Sequence, residues 1–310
     1  MEHDIHCGVW PVMLTPFDED LEIDWRSLEK LIDWYVAAGV HGLFSNCQSS
    51  EMFFLSEAES VKLTEFVVAK VDGRVPVVAS GHTAATLSHQ AEQVAAIAET
   101  GVDSVILISN RLASQDDDDE VALTRLQLLV GLVPESTRLG MYECPYPYKR
   151  LMSDAMVSWC AASGRFTFIK DTCCNLPTIE RRLSLIRGSS LRLANANAQT
   201  LLGSLQAGAD GYSGVMANFH PELYVWLYEN WRKEPEKARI LAHYLTVAAL
   251  VEYLDYPLCP KDFQVSIGNF RTALCRARRS GTYYDNHFPT TVKQMVELGE
   301  ECRRLLDIRL

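Results

Sequence analysis

Between Gly8 and about Trp231 the chain alternates short apolar runs with longer amphipathic ones, and it does so eight times. The strand-like runs are GVWPVML from Gly8, GLFSN from Gly42, VPVVAS from Val75, SVILIS from Ser104, RLGMYE from Arg138, FTFIKD from Phe166, LRLANA from Leu191 and GYSGVM from Gly211. Continuous apolar runs bounded by turn residues suit strands buried on both faces, and alternation with helices suits a parallel sheet. Between the runs, Leu28, Leu31, Ile32, Tyr35 and Val36 follow a helical stripe, and Ala91, Val94, Ala95 and Ala98 repeat it. Ser56 with Glu59 reads as a capping box. Gly39, Gly101, Gly164 and Gly208 fall where helices should stop.

Eight such units predict an α/β fold, a closed (β/α)8 TIM barrel of about 220 residues. A doubly wound open sheet is the alternative, but it wants a glycine-rich phosphate loop after its first strand, and LTPFDED is not one. The expected organisation is a catalytic barrel over 1–234 and a C-terminal helical extension over 235–310. Its helices are centred on ARILAHYLTVAALVEYL, PKDFQVSIGNFRTALCRA and TTVKQMVELGEECRRLLDI. The charge run Asp116 to Glu120 reads as the acidic opening of the fourth helix, where negative charge complements the helix dipole.

Composition narrows the function. A formal charge of −11 argues against nucleic acid as a partner, because phosphate contacts need basic patches. No apolar stretch of about 18 residues is present, so no membrane span is expected. The opening MEHDIHCGVW lacks the basic and apolar regions of a secretory leader, which makes a cytoplasmic location the expectation. Nine cysteines without CxxC or paired ligand spacing read as reduced thiols, and no metal is expected.

In a barrel, chemistry sits at the C-terminal ends of the strands. Lys170 ends the sixth strand run, on the face shared with Phe168 and Phe166. Burial there disfavours the ammonium and yields a free amine able to attack a carbonyl carbon; the alternative is a lysine that reaches solvent or pairs with Asp171. Tyr142 ends the fifth run, 28 residues earlier, one βα unit away. The two side chains should stand about 5 Å apart on neighbouring strands, a phenol able to relay protons beside an amine. After the second run, SNCQSSE (Ser45 to Glu51) offers small hydroxyls and backbone N–H groups for a carboxylate.

On these motifs the chain resembles the dihydrodipicolinate synthase and N-acetylneuraminate lyase family of Schiff-base aldolases. The similarity runs from GVWPVMLTPFDEDLEIDWRSLEKLIDW to GADGYSGVMANFHPE. Ile169, Lys170, Asp171 and Thr172 stand at the lysine motif, Tyr142 to Pro145 at the tyrosine motif, and Cys47 to Glu51 at the carboxylate loop. The resemblance implies a lyase without a cofactor, acting on pyruvate or a related 2-oxo acid and on an aldehyde. Lys170 would form the imine and Tyr142 would shuttle protons. Ser49, Ser50, Gln48 and Ser213 would bind substrate, with Arg111, Glu143 and Lys149 as candidate specificity residues at the rim. A homo-oligomer, dimer or tetramer, is also implied.

Four departures qualify that transfer. Pro147 stands where the synthases carry an arginine for the second substrate, and Asn110, Arg111 and Leu112 stand where a PYY motif donates a tyrosine across an interface. Gln48 replaces a hydroxyl residue, and Ser50 a glycine. A sugar-acid dehydratase using the same lysine, a true 4-hydroxy-tetrahydrodipicolinate synthase and a catalytically inactive binding barrel are the alternative readings.

Overall fold

The computed structural model describes residues 7–278 and 287–309; the first six residues of the leader argument lie outside them. All eight strand runs form strands, seven of them shorter than the runs that announced them and β6 spanning the whole of FTFIKD: β1 (Gly8–Val9), β2 (Leu43–Phe44), β3 (Val77–Ala79), β4 (Ser104–Ile108), β5 (Leu139–Tyr142), β6 (Phe166–Asp171), β7 (Arg192–Asn195) and β8 (Gly211–Tyr212). They pair in parallel in the order β1-β8-β7-β6-β5-β4-β3-β2. A parallel bridge between Val12 and Phe44 joins the ends of this order and closes the barrel. At the β1–β8 seam the backbones approach so closely that a Cβ on Gly211 would lie 1.9 Å from the Gly8 carbonyl oxygen, so only glycine fits.

The helices α1 (Trp25–Ala37), α2 (Glu57–Val71), α3 (Leu87–Glu99), α4 (Asp119–Leu132), α5 (Asp154–Ser163), α6 (Leu176–Ile186), α7 (Leu201–Ala207) and α8 (Pro221–Asn230) surround the barrel. Their ends follow local chemistry. Ser56 and Glu59 form the reciprocal capping box at α2, Asp118 caps α4, and the four predicted stop glycines all adopt positive φ. In α1 the predicted stripe is buried at Leu28, Leu31, Ile32 and Tyr35, with Val36 at its edge.

The stripe of α3 differs from the expectation. Gln90, Gln93, Val94 and Ile97 are buried, whereas Ala91, Ala95 and Ala98 are only half-buried. The two glutamines turn inward because they satisfy loop backbone. Gln93 Oε1 accepts from the Ala84 N–H at 2.9 Å, and Gln90 Nε2 donates to the carbonyls of Ala84 and Arg111 at 2.9 and 3.1 Å.

Strand β6 also departs from simple alternation. Leu139 pairs with Phe166 but Gly140 pairs with Phe168, so one extra residue is inserted between them. Such a bulge switches faces. Phe168 therefore packs inside the barrel with Trp10, Phe44 and Tyr142, while Phe166 joins the outer layer against Trp159. Lys170 stays on the inner face with Phe168 alone.

Beyond the barrel come α9 (Pro235–Ala248), α10 (Leu258–Ser266) and α11 (Phe288–Leu305). Leu241, Leu245, Phe263, Val292 and Met295 share one hydrophobic core with α1 and α8. Burial of each large apolar side chain there contributes about 1.5–3 kcal/mol. The helix expected through PKDFQVSIGNFRTALCRA stops at Ser266, and Gly268 takes φ 81°. Residues 270–278 instead run back over the barrel mouth as irregular chain. Among the described residues no helix is long and apolar enough to cross a membrane.

Candidate active site

Parallel strands end on one side of a barrel, and that side gathers the side chains that sequence spacing put at the ends of β2, β5 and β6. Tyr142 and Lys170 are direct partners in the β5–β6 register. Lys170 is 4% exposed, with its Nζ 4.2 Å from the centre of the Tyr142 ring and 5.6 Å from that of Phe44. Those two rings meet edge-on at 5.7 Å. Burial lowers the Lys170 pKa from the usual ammonium range. The pairing with Asp171 that would have explained this lysine as structural does not occur, because Asp171 points to the opposite face.

There Asp171 and its strand neighbour Glu143 meet Arg182 of α6. One guanidinium nitrogen bonds Asp171 Oδ2; another bonds Glu143 Oε1 at 2.5 Å and the Met152 carbonyl at 2.9 Å. Glu143 also accepts from the backbone N–H groups of Met152 at 2.7 Å and Thr172 at 2.9 Å. All three charged residues are buried. Glu143 is therefore not the rim charge the sequence suggested. It belongs to a buried brace that fixes the ends of β5 and β6, and with them the directions of Tyr142 and Lys170.

Other predicted residues also take different places. The Ser50 hydroxyl is committed within its loop, its single proton lying between the Ser45 and Met13 carbonyls, 2.6 and 2.8 Å away, while its oxygen accepts from the Cys47 N–H at 3.2 Å. Its own N–H bonds the Cys47 carbonyl at 3.2 Å, so neither donor expected of Ser50 is available to a carboxylate. Ser49 is available: among the described residues its N–H meets no acceptor, and its hydroxyl accepts from the Tyr256 phenol. Gln48 Oε1 lies 3.5 Å from the Tyr142 hydroxyl. Ser213, after β8, is fully buried, and its hydroxyl has no partner among the described residues. Arg111 braces the preceding loop by donating to the carbonyls of Thr83 and Ala84. Leu112 is core, and Asn110 holds the 144–148 loop through three carbonyls. Lys149 and Pro147 are exposed.

Residues from the C-terminal segment complete the mouth, and the sequence reading missed them. Lys261, on α10, is fully buried and bonds both Glu51 Oε1 and the Leu274 carbonyl. Glu51 also accepts from the Ala277 N–H at 2.6 Å. Glu51 sits at φ 60°, in the left-handed region, so this clamp holds the carboxylate loop in a conformation its residue type resists. Tyr256, through Ser49, reaches the same loop. Glu252 lies within electrostatic reach of Lys170. The usable sequence signal was a buried-type lysine and an acidic residue in otherwise apolar helical runs.

His82, just beyond β3, stabilises the neighbouring strand end. Its Nε2 accepts from the Ile108 N–H at 2.6 Å and its Nδ1 faces Gln90 Oε1 at 3.3 Å, which requires a neutral ring protonated on Nδ1. Burial, outweighing the Gln90 bond, and the Arg111 charge lower its pKa from 6.5 to about 4. The folded state thus refuses a proton that the unfolded chain takes up below about 6.5. This group's contribution is complete above 6.5 and is lost as pH falls towards 4, by about 3 kcal/mol in all. In ¹H–¹³C spectra of histidine-labelled protein the His82 ring should titrate near 4; a midpoint above 6 would refute the assignment.

The sequence profile of the Dihydrodipicolinate synthetase family matches residues 6–111. The 4-hydroxy-tetrahydrodipicolinate synthase of Oceanobacillus iheyensis is 30% identical over 217 residues, which span 68% of this chain and 69% of that protein. The N-acetylneuraminate lyase of Citrobacter koseri is 32% identical over 103 residues, 33% of this chain and 34% of that protein. Among solved structures, a prophage protein of the dihydrodipicolinic acid synthase family from E. coli K12, in complex with pyruvate, superposes with a TM-score of 0.84. That match has 21% identity and covers 95% of this chain and 98% of the other, a likeness of fold. With the similarity to the Oceanobacillus enzyme extending over two thirds of both proteins, the chain belongs to the dihydrodipicolinate synthetase family, a family of lyases.

Proposed function

We propose that the protein is a Schiff-base lyase acting on pyruvate or a close 2-oxo acid, with Lys170 as nucleophile. The observation that carries this reading is the buried Lys170 amine, enclosed by the Phe44 and Tyr142 rings at the end of β6. A free amine there attacks the keto carbon, and loss of water leaves the imine. The Ser49 hydroxyl and N–H hold the substrate carboxylate, and the Tyr142 phenol hands protons to the reacting oxygen. Burial raises the Tyr142 pKa well above 10, so the phenol acts from its protonated form.

Pro147 leaves this chain without the arginine that its motif position would carry, and the Arg111 guanidinium is engaged with loop carbonyls. The second substrate is therefore read as an aldehyde, or the tail of a sugar acid, recognised without a carboxylate clamp at those positions. A homo-oligomer is also proposed, supported by exposed apolar side chains on α9, α11 and the turn after α9: Val247, Leu250, Tyr253, Leu298 and Leu305.

The test is reductive trapping. Protein incubated with pyruvate and cyanoborohydride should gain one reduced pyruvyl group, located by peptide mass spectrometry on the peptide containing Lys170. Labelling confined to exposed lysines such as Lys149 would refute the reading. The carboxylate assignment has a separate check. Tyr256→Phe removes the phenol that orients Ser49, at a cost of about 1 kcal/mol for one neutral hydrogen bond. The apparent KM for pyruvate should rise about fivefold, with a smaller change in kcat; an unchanged KM would remove Ser49 from the binding role.

A further inference from the structure

Three aromatic side chains form a lip where the loops after β2 and β5 meet. Phe53 and Phe54 come from the 3₁₀ turn Met52–Phe54, and Tyr146 comes from the loop after β5. The Tyr146 ring lies 5.2 Å from that of Phe53 and 6.1 Å from that of Phe54, tilted against both. In the barrel β3 and β4 separate β2 from β5, about 14 Å along the wall, so the rings bridge the rim from one loop to the other. Nearer the amine the same two segments meet again. Gln48 Oε1 stands 3.5 Å from the Tyr142 hydroxyl and 3.6 Å from Cys144 Sγ. Phe53 packs against the apolar cluster that contains Phe44, Tyr142 and Cys144. An aromatic wall thus runs from the Tyr142 ring, 4.2 Å from Lys170 Nζ, out to Tyr146.

The lip is braced from behind. Asn110 Nδ2 lies 2.7 Å from the carbonyl oxygens of Cys144 and Tyr148 and 2.8 Å from that of Tyr146, its two protons shared among the three. On the other side Arg276 Nη1 donates to the Phe54 carbonyl at 3.1 Å, and Lys261 holds Glu51 just before the turn. Backbone fixed in this way lowers the ordering cost of binding. The rings themselves stay open to water, Phe54 at 38% and Tyr146 at 44% exposure. Fixed apolar rings left open beside a reactive pocket suit a ligand that covers them. None of the three carries a charge. An aldehyde bearing a carboxylate would have to draw on Lys149 of the same loop, which is exposed, and exposed charges attract weakly.

We infer that the lip of Phe53, Phe54 and Tyr146 receives the second substrate, and that this substrate is an aldehyde carrying a flat apolar group such as an aromatic ring. The inference rests on the Schiff-base reading above. The ring of the aldehyde packs against Phe53 and Tyr146, edge-on or offset as aromatic pairs prefer, with its carbonyl directed inward to the enamine on Lys170. The enamine π pair forms the new C–C bond, the nitrogen lone pair restores the iminium, and the carbonyl π pair moves to oxygen. That oxygen gains a proton in place of the one the methyl carbon lost when the enamine formed. Water then hydrolyses the iminium, replacing the water released on its formation, and frees the Lys170 amine. The product is the sum of pyruvate and the aldehyde, a 4-hydroxy-2-oxo acid with the ring on its fourth carbon.

The test follows pyruvate consumption by ¹H NMR with benzaldehyde and with two aldehydes that lack a ring, glyceraldehyde and succinic semialdehyde. Wild-type kcat/KM for benzaldehyde should exceed that for either of the others by about tenfold or more. In Tyr146→Ser and in Phe53→Ala that ratio should fall about fivefold. A wild-type preference for glyceraldehyde or succinic semialdehyde overturns the inference, as does a ratio that stays within about twofold of wild type in Tyr146→Ser. Wild-type protein that traps pyruvate on Lys170 but consumes it with none of the three aldehydes overturns the inference and leaves the Schiff-base reading standing. Wild-type protein that does not trap overturns both. A second copy of the chain is the competing occupant of the lip: light scattering that finds Tyr146→Ser at half the mass of wild type assigns the rings to a subunit contact and overturns the inference. Where a variant does not fold, as judged by its melting curve, the wild-type ratio decides.

Discussion

Lys170→Ala should lose turnover by on the order of 10⁴ or more, equivalent to about 5–6 kcal/mol of barrier, and should lose all reductive trapping at that strand. Lys170→Arg should be equally inactive. Arginine keeps a positive charge at the end of β6 but stays protonated and cannot supply a nucleophilic amine, so it separates nucleophilic catalysis from simple electrostatic attraction of an anion. Neither variant should be less stable on account of lost pairing, because Lys170 has no salt bridge among the described residues and its burial opposes its charge. Removing a buried ionisable group at an active site tends to stabilise. The melting temperature of Lys170→Ala is expected to hold or rise by a few degrees. Lys170→Arg retaining more than a few per cent of wild-type turnover would exclude the imine.

Arg182→Met should produce the largest loss of stability. Arg182 is 1% exposed and bonds two carboxylates that are themselves fully buried. Methionine has nearly the length of the arginine stem, so packing is largely kept while Glu143 and Asp171 lose their common cation. Breaking a buried pair by removing one partner costs about 3–5 kcal/mol. For a chain of this size that corresponds to a fall in melting temperature of roughly 10 °C. Arg182→Lys should recover only part, since an ammonium cannot bridge both carboxylates and the Met152 carbonyl with the geometry of a guanidinium fork. Activity should decline with stability, because Glu143 and Asp171 directly follow Tyr142 and Lys170 in their strands or lie at their ends. A thermal shift under 2 °C in Arg182→Met would show that the brace contributes little.

Much of this molecule was legible in local sequence for a definable reason. Strand runs, helix stripes, the Ser56 capping box and the stop glycines are written within single elements, at periods of two and 3.6 residues. The proximity of Tyr142 to Lys170 was also legible, because parallel neighbours in a barrel repeat at the length of one βα unit. The same logic failed where one residue was added or where a side chain answered a loop. The bulge between Leu139 and Gly140 sent Phe166 outward, and the backbone needs of residue 84 and Arg111 turned Gln90 and Gln93 inward. Glu143 read as a rim charge since nothing near it in sequence announces Arg182, 39 residues on.

The sequence by itself determined the (β/α)8 barrel, the strand that carries Lys170 and the phenol beside it, since periodicity and spacing encode which face a residue takes within its own element. Only the tertiary structure decided what stands opposite that face. Glu51 meets Lys261 across 210 residues and Ser49 meets Tyr256 across 207. Residues 270–278 return over the mouth rather than continuing a helix, and the Ala277 N–H reaches Glu51 there. Contacts of that range depend on how separate elements pack together, and no local period records them.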